Sequence, residues 1–270
     1  MADMVRTVES HLVLRADGPA HLALEIAVAD HAPGTVEETL TIEVDGAPVR
    51  PTELSGPVGG RIHELHIDAG RITVDYRATI TGRAVAQRVS ATERLEYLRP
   101  SRYSESDRLS AEARAQFAGI DQPRELLDAV SSWVGARLQY VPGSSGPTDG
   151  AVDTLIARRG VCRDYAHLTV ALLRALDVPA RLVAVYAPGL DPMDFHAVIE
   201  AAIEDQWQVV DATLLAPRSS LLRISTGRDA ADTAFLSNYG GNVELLEVGV
   251  LAWTEGALPT DDILALETLG

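Results

Sequence analysis

The hydrophobic pattern of this chain runs at a period of two residues over its first third and turns to between three and four only after it, which limits the fold to strands first and helices packed on strands afterwards. From Leu12 to about Ile80 the apolar residues recur at every second position: Leu22, Leu24, Ile26 and Val28, then Leu40, Ile42 and Val44, then Ile72, Val74 and Tyr76. Side chains that alternate in this way line one face of a β-strand. Asp17-Gly18-Pro19, Pro33-Gly34, Asp45-Gly46 and the cluster from Gly56-Pro57 to Gly60 separate the runs with residues suited to chain reversal. Residues 1–91 thus read as a small antiparallel β-domain.

Between Thr92 and Gly119 the alternation stops and charges thicken, and Pro100 breaks any long helix, so this stretch reads as the connection into a second domain, 92–270. A helical stripe then starts at Asp121 as cap, with Pro123 in the first turn and Leu126, Leu127, Val130, Val134 and Leu138 along one side. Pro142 to Pro147 is a loop. A second helix fits Val152 to Arg159, with two arginines against its negative end and Gly160 as its stop. A third fits Cys162 to Leu176, and its nearly unbroken apolar run after Ala166 predicts a helix enclosed by other layers. Arg181–Tyr186, Phe195–Ala202 and Trp207–Ala212 follow as strand-like segments.

Cys162 is the only cysteine, and it falls where that third helix begins. Free N–H groups at a helix start favour the thiolate, the nucleophilic form of the side chain. Taken alone, a lone cysteine is more often an inert packing residue. A nucleophilic one needs a base. His167 is the fifth residue after Cys162, which turns it about 140° around the helix and roughly 7.5 Å along it, out of reach of the sulfur. It reads as structural. His196 lies on a strand-like segment that can return beside the helix start. A hairpin turning near Glu204 brings Asp211 onto the face of His196, opposite or diagonally adjacent.

Cys162, His196 and Asp211 together form a nucleophile, base and orienter: Asp211 fixes the imidazole tautomer, His196 takes and returns the proton, and Cys162 attacks a carbonyl. The backbone N–H of Cys162 is one natural donor to the oxyanion, and Tyr140 is the candidate for the second. His63 and His66, three apart in a strand pattern, fall on opposite faces and make a poor metal pair. No motif calls for a metal or a cofactor.

Acidic residues outnumber basic ones, 39 to 23, every basic side chain is arginine, and the net charge of −16 repels phosphate backbones and anionic lipid, so neither nucleic acid nor a membrane is expected as a partner. Asp3, Arg6 and Glu9 interrupt Met1 to His11, which lacks the apolar run of a secretory leader. With one cysteine and no disulfide to make, cytoplasmic residence is the expectation. Oligomeric state leaves no signature.

Gly160-Val161-Cys162-Arg163-Asp164-Tyr165-Ala166-His167-Leu168, then Asp177-Val178-Pro179-Ala180-Arg181, Asp194-Phe195-His196-Ala197 and Trp207-Gln208-Val209-Val210-Asp211-Ala212-Thr213, occur in this order. Together they resemble the bacterial transglutaminase-like superfamily, over about residues 92–240. Val198 and Ala212 depart from residues common in relatives, Trp and Pro, without removing a catalytic group. The resemblance implies an α+β, papain-like core with Cys162 on a helix against an antiparallel sheet bearing His196 and Asp211. It implies a thiol-dependent peptide or isopeptide amide hydrolase working through a thioester. Acyl transfer to an amine, or a scaffold with an idle triad, are the alternatives among such relatives.

Overall fold

The computed structural model describes residues 4–30 and 36–269; the Pro33-Gly34 turn lies outside them. In chain order the elements are β1 (Val5–Ala16), β2 (Ala20–Leu24), β3 (Val36–Val44), β4 (Ala47–Pro48), β5 (Thr52–Ser55), β6 (Arg61–Ile67) and β7 (Gly70–Thr81). Then come α1 (Ala91–Glu96), α2 (Ser106–Gln116), α3 (Pro123–Arg137), β8 (Gln139–Tyr140), α4 (Ala151–Ala157), β9 (Arg159–Gly160) and α5 (Cys162–Ala175). The chain closes with β10 (Ala180–Tyr186), β11 (His196–Ile203), β12 (Gln206–Val210), β13 (Leu222–Gly227), β14 (Leu236–Tyr239) and β15 (Val243–Thr254).

The alternating residues of the first third fill a β-sandwich. One sheet has the order β15-β1-β7-β3-β4 and the other β14-β2-β6-β5. Leu12, Leu22, Leu24, Ile72, Val74 and Ile80, all without exposed surface, pack between them. The sandwich is not the product of residues 1–91 alone, as the sequence reading had it. β15 pairs with β1 along its whole length, from Arg6 opposite Thr254 to Ala16 opposite Val243, and β14 pairs with β2. Two strands from the chain's far end complete the N-terminal layers.

The second half is an antiparallel sheet in the order β12-β11-β10-β13, with α5 laid against one face under α2 and α3. Every residue of α5 from Asp164 to Ala175 is buried, as its apolar run predicted. Each fully buried Leu there contributes about 1.5–3 kcal/mol. The molecule is mixed α+β with antiparallel sheets. Its two cores join: Tyr186, Leu222 and Ile224 belong to the sandwich core, and the Tyr186 hydroxyl donates to the carbonyl of Ile26 at 2.8 Å.

The second helix ends earlier than expected. Arg158 takes a left-handed cap conformation (φ 55°), and Arg159-Gly160 becomes β9, parallel to β8, with Tyr140 beside Gly160. The preference of arginine for a helix end is worth tenths of a kcal/mol and yields to the pairing.

Candidate active site

Cys162 is the first residue of α5, half-buried, and its approach is fixed from both sides. Upstream, the N–H of Val141 donates to the carbonyl of Gly160 at 3.0 Å, which ties the incoming chain to the Tyr140 strand. Downstream, Asp164 folds back so that its Oδ2 accepts from the N–H of Val161 at 2.7 Å, satisfying a donor that the helix start leaves free. The Ser145 hydroxyl donates to the other oxygen, Oδ1, at 2.8 Å. Arg163 Nη2 donates to Ser145 Oγ at 2.5 Å and to the Gly146 carbonyl at 2.6 Å, so the glycine-serine loop is clamped over the helix start.

His196 opens β11. The β11–β12 hairpin turns on Glu204 and Asp205, both left-handed (φ 50° and 62°), a pair that suits the twist of a two-residue hairpin. With Ile203 opposite Gln206 and Ile199 opposite Val210, the register continues to place Asp211 opposite Val198, diagonal to His196 and on its face. His196 Nε2 lies 2.8 Å from Asp211 Oδ2, and both side chains are buried. Asp211 Oδ1 accepts from the N–H of Thr213 at 2.8 Å and from its hydroxyl at 2.6 Å. Helix α3 braces the segment: a Cβ on Gly135 would stand 2.8 Å from the carbonyl oxygen of Ala212.

Nδ1 of His196 is buried and makes no regular hydrogen bond; from outside the Asp211 pair the Cys162 thiol acts on His196, and so does the Asp194 carboxylate. Burial opposes a charge on this ring, yet the Asp211 carboxylate and the Cys162 sulfur outweigh it and raise His196 to about 10. Burial likewise pushes the Asp211 carboxyl up, and His196 and Thr213 together pull it below its ordinary value. The site therefore favours an imidazolium held between a carboxylate and a sulfur.

Tyr140 also lies against Cys162, within hydrogen-bonding reach of both its backbone N–H and its thiol. Burial and the neighbouring Cys162 raise the phenol to about 12, so it remains a hydroxyl. His167 stays apart from the sulfur's chemistry. It is fully buried, its ring stacks on Tyr103, and its Nε2 accepts from the N–H of Ala230 at 3.1 Å. Burial lowers His167 to about 3, which keeps it a neutral staple. His63 and His66 face opposite ways: His63 is buried beside Glu53, whereas His66 stacks on His21.

Asp164, Ser145, Arg163 and Thr213 were not singled out in the sequence. Two left a signal. Asp164 stands three residues after the residue it caps, and Thr213 stands two after Asp211, the spacing of an aspartate turn. The Ser145 contact spans a loop and has none.

A cleft of about 480 Å³ opens over the thiol, lined by Cys162, Phe195 and His196 and, from the sandwich side, by Glu25 and Phe235. The family model of the transglutaminase-like superfamily matches residues 110–212, which include Cys162, His196 and Asp211. The crystal structure of a Cytophaga hutchinsonii protein proposed to be a cysteine protease is similar over 100% of this chain and 98% of its own, with 30% identity and a TM-score of 0.87.

The chain belongs to the bacterial transglutaminase-like superfamily. An uncharacterised Mycobacterium leprae protein is 30% identical over 155 residues, 54% of this chain and 56% of that one. An uncharacterised Mycobacterium tuberculosis protein is 36% identical over 74 residues, 24% of its length. The chain thus spans about half or less of these mycobacterial relatives. The match to the Cytophaga protein, by contrast, takes in the sandwich as well as the transglutaminase-like core.

Proposed function

We propose that the protein hydrolyses peptide or isopeptide amides through a thioester on Cys162. The observation that carries this reading is the His196–Asp211 pair, with the second ring nitrogen of His196 left to Cys162 in an open cleft. The Cys162 thiolate attacks the amide carbonyl, and the tetrahedral oxyanion forms beside the Cys162 N–H. His196 then gives its proton to the leaving amine as the C–N bond breaks, leaving a thioester. A water molecule loses a proton to His196, attacks the thioester, and the thiolate leaves with His196 protonated again.

Tyr140 fits the second donor by a change of charge. While the sulfur is anionic, the phenol O–H has an acceptor in it; once acylation removes that charge, the O–H is free to turn to the carbonyl oxygen. The experiment is intact-mass analysis of the protein incubated with a panel of peptide, glutamine and cell-wall-like amides. The reading expects an acyl adduct on Cys162 that decays in water and is absent from Cys162→Ala. An adduct that persists in water and is discharged by an added amine would make the reaction acyl transfer. No adduct with any amide, while Cys162 is open to iodoacetamide, would leave the idle scaffold.

A further inference from the structure

The cleft holds an acid that the proposed reaction does not use. Glu25 follows β2, and its N–H donates to the carbonyl of Phe235 at 3.0 Å, so the sandwich fixes its backbone at the cleft wall. Across the sheet that carries His196, three residues stand in one row: Ala197 on β11 is opposite Ala184 on β10, and Ala184 is opposite Ser225 on β13. Strands are spaced about 4.8 Å apart, so this row spans roughly 10 Å from the His196 strand to Ser225. The Ser225 hydroxyl is buried and makes no regular hydrogen bond, and it is a group that acts on the Glu25 carboxyl.

Between the two ends the surface is apolar and low. Ala184 and Ala197 give it a shallow floor, and Phe195 and Phe235, stacked with centroids 5.0 Å apart, line it. The charged groups around it are few. Arg163 is committed to Ser145 and Gly146, Asp194 lies at the rim with its Oδ1 on the N–H of Phe195, and Asp232 is paired with Arg228. Among the described residues no basic side chain forms an ion pair with Glu25. Burial, with Asp232 adding to it and Ser225 opposing, pushes its carboxyl up to about 7, the response of an acid removed from water without a counter-ion.

We infer that the cleft from Cys162 to Glu25 is a subsite for an acyl donor whose side chain is a run of methylenes ending in a cation, as in lysine or another diamino acid. The inference rests on the thioester reading above and adds the substrate class to it. The apolar row takes the methylenes, and Glu25 supplies the charge that an ammonium needs when it leaves water. The sandwich thereby acts in substrate selection.

The test uses two peptidyl acyloxymethyl ketones that differ only in the residue bearing the ketone, lysine or norleucine, with labelling of Cys162 followed by intact mass. The lysine probe is expected to label the wild-type protein at least about tenfold faster, a difference of about 1.4 kcal/mol. In Glu25→Gln the ratio of the two rates is expected to fall to about one. Equal rates in the wild type, or a preference for norleucine, would overturn the cationic subsite while leaving the thioester reading intact. A lysine preference that survives Glu25→Gln would overturn the role of Glu25. If neither probe labels a thiol that iodoacetamide reaches, the acyl site itself is misassigned and the subsite falls with it.

Discussion

Gly160 has no side chain where Asp164 needs the space: a Cβ on Gly160 would stand 2.5 Å from the Cβ of Asp164 and 2.7 Å from its Oδ2. That oxygen caps the helix start, so the glycine two residues before the nucleophile and the aspartate two residues after it form one device. The device sets the direction in which Cys162 leaves the strand and enters α5.

Gly160→Ala is therefore expected to cost about 1–3 kcal/mol, the range for overpacking a filled site, and to lower the rate at which Cys162 is acylated. Urea unfolding and probe labelling read the two effects. An alanine variant as stable and as reactive as the wild type would show that the Asp164 cap yields without moving the thiol.

Asp211→Asn retains the shape but presents an amide to Nε2 of His196. Turnover is expected to fall by about 10²–10⁴-fold with a small change in KM. Removing the carboxylate also removes the main force raising His196, so its titration should move down from about 10 toward the ordinary histidine range, followed by NMR of the ring protons. An unchanged turnover number and an unchanged His196 titration would make Asp211 structural.

Beneath His196 on the same face of β11, Glu200 accepts from Arg181 at 2.7 Å and from Arg223 at 2.6 and 3.0 Å, all three side chains being buried. Burial pushes the Glu200 carboxyl up, but Arg223 and Arg181 override it and hold it down to about 2 from 4.5. A carboxyl depressed in the folded state stabilises the fold fully above about pH 4.5, and that contribution is lost as pH falls toward 2. Glu200→Gln, which leaves two buried guanidinium groups unpaired, is expected to cost about 3–5 kcal/mol and to flatten the stability profile across that window. A pH profile as steep as the wild type's would assign the acid transition to other carboxyls.

The parts of the fold legible in the sequence are those in which local pattern and burial agree. Ile72, Val74 and Tyr76 alternate because one face of β7 meets the core, and the unbroken apolar run of α5 reflects packing on several sides. The Cys162, His196 and Asp211 set was legible because a helix start and a short hairpin fix relative positions by local geometry. The C-terminal strands were not. In β15, Leu245, Leu246, Val248, Leu251 and Trp253 are exposed while Val250 and Ala252 are buried, so alternation is blurred, and its partner β1 lies at the other end of the chain. The α2 helix, buried through Leu109 and Ala113, was masked by the charges on its outer side. Glu25 was invisible as a cleft residue because it and Cys162 come from opposite halves of the chain and meet only where the sandwich packs against the second sheet.

The central claim is that His196, and no other histidine, activates Cys162. The direct measurement is the rate of iodoacetamide labelling of Cys162 as a function of pH in the wild type, His196→Ala and His167→Ala. At about pH 6.5 an unperturbed cysteine is roughly 1% thiolate, so labelling there reports on activation. The account predicts that His196→Ala slows labelling at this pH by about tenfold or more. His167→Ala, once shown to be folded by circular dichroism, should label at nearly the wild-type rate. A slow His167→Ala beside an unaffected His196→Ala would contradict the assignment of the base.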